Sequence, residues 1–173
     1  MIIINDKMFN IIRKESYNNS KYLPKGLNRI LRDGVTLHND CLVLDYFWKA
    51  NSHLLELEFQ DKTQYECFIN GFHLNDFCRL NATKYLFVFI KKLISLITIN
   101  FPYDFTIIIT IDHQDVHLTF HAIHQNESEW FELGQIDKSN NAIMVVKFEG
   151  KGQIKENQEL SQESESWGLN DPL

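Results

Sequence analysis

Between Leu80 and Asn100 the chain reads LNATKYLFVFIKKLISLITIN, with no glycine and no proline. Phe, Val and Ile also favour strands, but a run of about 20 residues far exceeds an ordinary strand of ~5–6. Tyr85, Phe89, Lys92 and Leu96 track one line of the helix surface, and Leu86, Ile90, Leu93 and Ile97 the neighbouring line. Apolar residues cover most of the circumference, so this helix is expected to be buried on more than one side and to be the least exposed element. Leu86, Phe89, Ile90, Leu93 and Ile97 are its predicted core residues. Asn81 or Thr83 can cap its start, and Pro102 ends it. The run is broken by Lys91-Lys92, Ser95 and Thr98 and falls short of a bilayer span of ~20 apolar residues.

What surrounds this helix reads as strands. Phe105, Ile107, Ile109 and Ile111 alternate with Thr106, Ile108 and Thr110. After a turn at Asp112–Asp115, Val116–Ile123 returns as the partner strand, and Asn140–Phe148 reads as the last one. Upstream, Cys41–Trp48, His53–Phe59 and Thr63–Asn70 alternate at period two and are separated by short turns, which predicts an antiparallel meander. Leu23-Pro24 looks like a helix entry. Leu27, Ile30 and Leu31 then share a face, and Asp33-Gly34 ends the helix. Met8, Phe9, Ile11 and Ile12 suggest a short strand or docking turn, broken at Tyr17–Ser20. The fold class is therefore α+β: an antiparallel sheet of about five or six strands packed on the long buried helix. Residues 1–152 form one domain at this length.

Charge separates the body from its end. The 173 residues carry 23 acidic and 17 basic side chains. Five of the acidic ones, Glu156, Glu159, Glu163, Glu165 and Asp171, lie in the last 18 residues, which hold no Lys or Arg. Residues 153–173 have the composition of an acidic, disordered tail. A near-neutral body with such a tail is poorly suited to gripping phosphate backbones, so no nucleic acid partner is expected. Three cysteines without a CxxC read as buried, reduced thiols. With no secretory signal pattern at the start, a cytoplasmic protein without membrane attachment is expected.

Little in the sequence carries recognisable chemistry. There is no GxGxxG, P-loop, HExxH or GxSxG. Four of the seven histidines cluster at His113, His117, His121 and His124. On a strand, His117 and His121 lie about 13 Å apart, far beyond what zinc bonds of about 2 Å can bridge. They read instead, with Thr119, as a solvated or partner-facing polar face opposite Val116, Leu118 and Phe120. Glu56 and Glu58, about 7 Å apart on a strand, have a spacing that suits glycosidic chemistry but that any solvated strand face also shows. No catalytic residue, metal or cofactor is expected.

The stretch Leu118-Thr119-Phe120-His121, followed by the polar loop Asn126–Trp130 and the apolar strand Ala142–Phe148, resembles the C-terminal part of small bacterial immunity proteins. These are the cytoplasmic antidotes of contact-dependent inhibition and other polymorphic toxin systems. The resemblance spans about 30 residues and is one of pattern. It implies a non-enzymatic protein that binds and neutralises a toxin domain, often a basic nuclease. With the charge layout, it makes Asp112, Asp115, His117, His121, Glu127, Glu129 and Trp130 the candidate partner-binding residues. The element order is also similar to that of type III secretion chaperones, although this chain closes on a strand and tail and not on an amphipathic helix.

Overall fold

The computed structural model describes residues 1–15, 22–78 and 81–150. The acidic stretch 153–173 and the predicted break at Tyr17–Ser20 lie outside the described residues. In chain order the elements are β1 (Ile2–Ile4), α1 (Asp6–Glu15), α2 (Lys25–Asp33), β2 (Val35–His38), β3 (Cys41–Leu44), α3 (Asp45–Ala50), α4 (Lys62–Ile69), β4 (Phe72–His73), α5 (Thr83–Asn100), β5 (Phe105–Asp112), β6 (Asp115–Ala122) and β7 (Ala142–Phe148). Three 3₁₀ turns join them, at Glu56–Glu58, Leu74–Phe77 and Leu133–Lys138.

The fold is α+β. A five-stranded antiparallel sheet has the order β1-β7-β5-β6-β4, and β2 and β3 form a separate hairpin. Phe105 pairs with Ala122 on one side and Phe148 on the other, so the alternation of β5 sets the face of all three central strands. One face, with Ile107, Ile109, Leu118, Phe120, Met144 and Val146, packs with α5, α2 and the hairpin in the main core. Leu86, Phe89, Ile90, Leu93 and Ile97 are the buried residues of α5, as the periodicity predicts. The helix is not the least exposed element, however. Outside that stripe most of its residues are half-buried, whereas all four residues of β3 are buried. The cap position falls to Ala82, which has no side-chain cap bond, and the Thr83 hydroxyl donates to Asn81 Oδ1 at 2.5 Å.

The N-terminal reading is also corrected. Met8–Ile12 is helix, not strand. Asn5 starts it, because its Oδ1 accepts from the Met8 amide at 3.0 Å. The same oxygen accepts from Ile143 N at 3.1 Å, and Asn5 Nδ2 donates to the carbonyls of Asn141 and Ile136. One buried side chain thus ties α1 to β7 and to the Leu133–Lys138 turn.

The predicted meander over residues 41–70 is overturned. Only Cys41–Leu44 is strand, paired with β2. Asp45–Ala50 is helix, carrying an Asp45–Lys49 ion pair at i,i+4. Residues 53–59 make a turn, and Thr63–Ile69 lies on α4, with Asn70 as its C-cap. Helix wins over the last segment because Asp61 caps it, accepting from Gln64 N at 2.7 Å. Its inward side chains also recur at helical spacing: Thr63, Glu66, Cys67 and Asn70 stand at i, i+3, i+4 and i+7, and all four are buried. Two of them are strongly polar, which hides the stripe from any apolar pattern.

Candidate functional site around helix α4

Helix α4 lies between two strand edges and satisfies both with side chains. Glu66 Oε1 accepts from the Leu42 amide of β3, and its Oε2 accepts from Ala122 N of β6 at 2.7 Å. One turn on, Asn70 Oδ1 accepts from Leu44 N at 2.8 Å, while its Nδ2 donates to Leu42 O at 2.8 Å and Phe120 O at 3.0 Å. Nearby, the Thr119 hydroxyl donates to Cys67 O at 2.8 Å. The hairpin and the main sheet are joined through a helix whose carboxylate and amide take the place of a neighbouring strand.

The loop after β6 closes over the start of this helix. Glu127 accepts from Thr63 N and the Thr63 hydroxyl, both at 2.8 Å, and from Lys62 N at 3.3 Å. A carboxylate at a helix N-terminus meets unpaired amides and the positive end of the dipole. Burial pushes the Glu127 carboxyl up, but the Thr63 and Lys62 donors together hold it below the usual carboxylate range. His124 Nε2 lies 3.2 Å from the buried Glu66 Oε1. That carboxylate raises the His124 pKa against the opposing effect of burial. Glu129 pairs with Lys147 of β7 at 2.5 and 2.6 Å. The loop is therefore pinned by three carboxylate contacts, at His124, Glu127 and Glu129, and between the last two of these and the Leu133–Lys138 turn Trp130 stands 50% exposed.

The seven predicted site residues do not form one patch. They fall into two groups towards opposite ends of β6, with His117 and His121, the nearest members along the strand, about 13 Å apart at ~3.3 Å per residue. Asp112, Asp115 and His117 sit at the hairpin end. There Asp112 and Asp115 face each other in register, and His73 Nδ1 lies 2.7 Å from Asp115 Oδ2. The His73 and His117 rings, paired across β4 and β6, have centroids 5.1 Å apart. Burial, with the neighbouring His73, lowers the His117 pKa. Glu127, Glu129, Trp130 and His121 lie at the other end.

One expectation is corrected here. The face carrying Thr119 and His121 is not a solvated one: both residues are buried, and His121 is 1% exposed. Cys67 of α4 contacts Thr119 directly. Burial lowers the His121 pKa, so it is held neutral. Its Nδ1 lies 2.8 Å from Ala122 O, which makes that nitrogen the donor. Among the thiols, Cys41 and Cys67 are buried, and burial pushes Cys41 up to about 12. A thiol held protonated there is a poor nucleophile. Sequence reasoning did not single out Glu66, Asn70 or His73, and named His124 only as a member of the histidine cluster. The signal that could have found the first two is the i, i+3, i+7 spacing of Thr63, Glu66 and Asn70.

The described residues hold no group of three or more His, Cys, Asp or Glu side chains able to bind a metal. No described helix is long and apolar enough to cross a membrane. The fold and site define an α+β domain whose acidic loop is fastened onto a helix N-terminus. The model of the Uncharacterized protein PM0498 family matches residues 3–161, and the chain belongs to that family. Neither a curated protein nor a solved structure matches it.

Proposed function

We propose that this protein binds a basic protein domain and neutralises it, in the concrete form of a cytoplasmic immunity protein acting on a nuclease-type toxin. The observation that carries the reading is Trp130, half exposed on a loop whose neighbouring carboxylates are fastened to the body. Trp is enriched among the residues that dominate binding energy. A loop already held in place loses less freedom on docking. Ile123, also exposed, opens the same loop and adds apolar area. The net charge of −6 favours rapid encounter with a basic partner. The site's ionisable groups support binding over catalysis, since Glu66 and Glu127 already accept backbone amides.

In this reading Glu127 and Glu129 act chiefly as anchors that present Trp130. The test is co-expression with the C-terminal domain of a large secreted protein encoded beside this gene. Wild type should restore growth and co-purify with that domain. Trp130→Ala should keep the fold but speed dissociation about ten-fold or more. If wild type neither protects nor binds, the reading fails. If Trp130→Ala binds like wild type, the loop is not the contact.

A further inference from the structure

A second set of exposed apolar side chains lies on α4 and the turn before it. Leu55, Leu57 and Phe68 are 61%, 94% and 56% exposed. Scattered exposed leucines are ordinary, but a grouped set marks an interaction site. These three are grouped by the local fold. The turn bearing Leu55 and Leu57 is closed by Glu58, whose Oε2 accepts from Leu55 N at 2.9 Å. The next residues carry Phe59 onto α4, where its ring centroid lies 5.4 Å from Phe68 and 5.3 Å from the buried Tyr65. The turn is thus fixed on the helix and holds its leucines outward.

Carboxylates outnumber cations in this segment. Glu56 and Glu58 alternate with the leucines, Asp61 caps α4, and Asp40 lies 3.5 Å from Lys62. We propose that Leu55, Leu57 and Phe68 form a docking ridge for a basic amphipathic helix of a protein partner. Its apolar stripe would cover the ridge, and its Lys or Arg flanks would meet Glu56, Glu58 and Asp61. This rests on the reading that the protein docks a basic partner, and it assigns that partner a second contact apart from Trp130.

The probe is a synthetic helical peptide with leucines at i, i+3, i+4 and i+7 and lysines elsewhere. A scrambled peptide of the same composition, lacking the stripe, serves as control. Binding to the full chain is followed by amide NMR shifts. The expected result is saturable binding of the striped peptide, with shifts centred on residues 54–62 and on Phe68. Leu57→Ser and Phe68→Ser should each weaken it about ten-fold, and Trp130→Ala should leave it unchanged. Both substituted side chains are exposed, so the fold should survive, and the same spectra report it. Equal binding of the scrambled peptide, shifts centred on residues 156–173, or wild-type affinity in Leu57→Ser would overturn the proposal. Failure here with intact protection in the co-expression test would sink the ridge alone; success here with no protection would sink the toxin reading alone.

Discussion

Replacing Asn70 by Leu should be among the most damaging single changes available to this protein. The two side chains are close in size, so the substitution mainly removes polar atoms. It leaves Leu44 N, Leu42 O and Phe120 O without the partners they have at 2.8, 2.8 and 3.0 Å. Each buried backbone group left unpaired costs about 1–3 kcal/mol. Some relaxation and water entry are allowed for, and the expected loss is then about 3–5 kcal/mol, a large share of a typical stability of about 5–15 kcal/mol. Urea unfolding followed by circular dichroism measures it directly. Asn100→Ala is the internal control. Its Nδ2 bonds the Leu96 carbonyl in an exposed last turn, so its cost should stay within about 0.5 kcal/mol. Hydrogen exchange adds a local readout: the Leu44 amide should lose protection more than amides in β5. A loss below about 1 kcal/mol for Asn70→Leu would refute the claim that this side chain joins the hairpin to the sheet.

Two further outcomes follow from the same structure. Phe89→Ala, in the fully buried stripe of α5, should cost about 3–5 kcal/mol in urea unfolding; a cost like that of an exposed site would contradict the packing of α5 on the sheet. His121 is held neutral in the fold by burial, with its pKa below the ordinary 6.5. The unfolded chain therefore takes up a proton first as pH falls below about 6.5, and stability drops at up to ~1.4 kcal/mol per pH unit until the folded pKa is passed. His124, raised by Glu66, acts in the opposite sense and loses its contribution as pH rises through its folded pKa. Subtracting His121→Gln from wild type across pH 5–8 should isolate the acid-side loss, and parallel profiles for the two proteins would rule it out.

The parts of this fold that were legible in the sequence are those whose burial is apolar and one-sided. In α5, β5, β6 and β7 the inward residues are hydrophobic and recur at 3.6 or 2, so pattern and structure agree. Residues 41–70 defeat the same reading for a physical reason. Val43, Phe47, Leu55, Leu57 and Phe59 alternate well enough to imitate strands, yet Leu57 is almost fully exposed. In the helix that follows, the buried face holds Thr63, Glu66 and Asn70. An apolar pattern cannot see a helix that turns carboxylate and amide inward. The partners that make such burial tolerable, Leu42, Leu44, Phe120 and Ala122, are 24 to 56 residues away in sequence. Pairing between residues distant in sequence also explains why Glu127 and Glu129, read as candidate partner-binding charges, are engaged within the fold.

This arrangement also bears on how the domain could present a binding surface. Both exposed apolar features, the Trp130 loop and the Leu55–Leu57 turn, are fastened to α4, one through Glu127 on Thr63 and the other through Phe59 on Phe68. Helix α4 is in turn held by Glu66 and Asn70 to the backbones of β3 and β6. Buried polar anchors tolerate little displacement, because any shift leaves a donor or acceptor unpaired. An apolar contact of equal area could slide. The polar joint therefore fixes the spacing of the two exposed features relative to the sheet, which a partner gripping both at once requires. Loosening Asn70 should then weaken such a partner even though Asn70 is buried and cannot touch it.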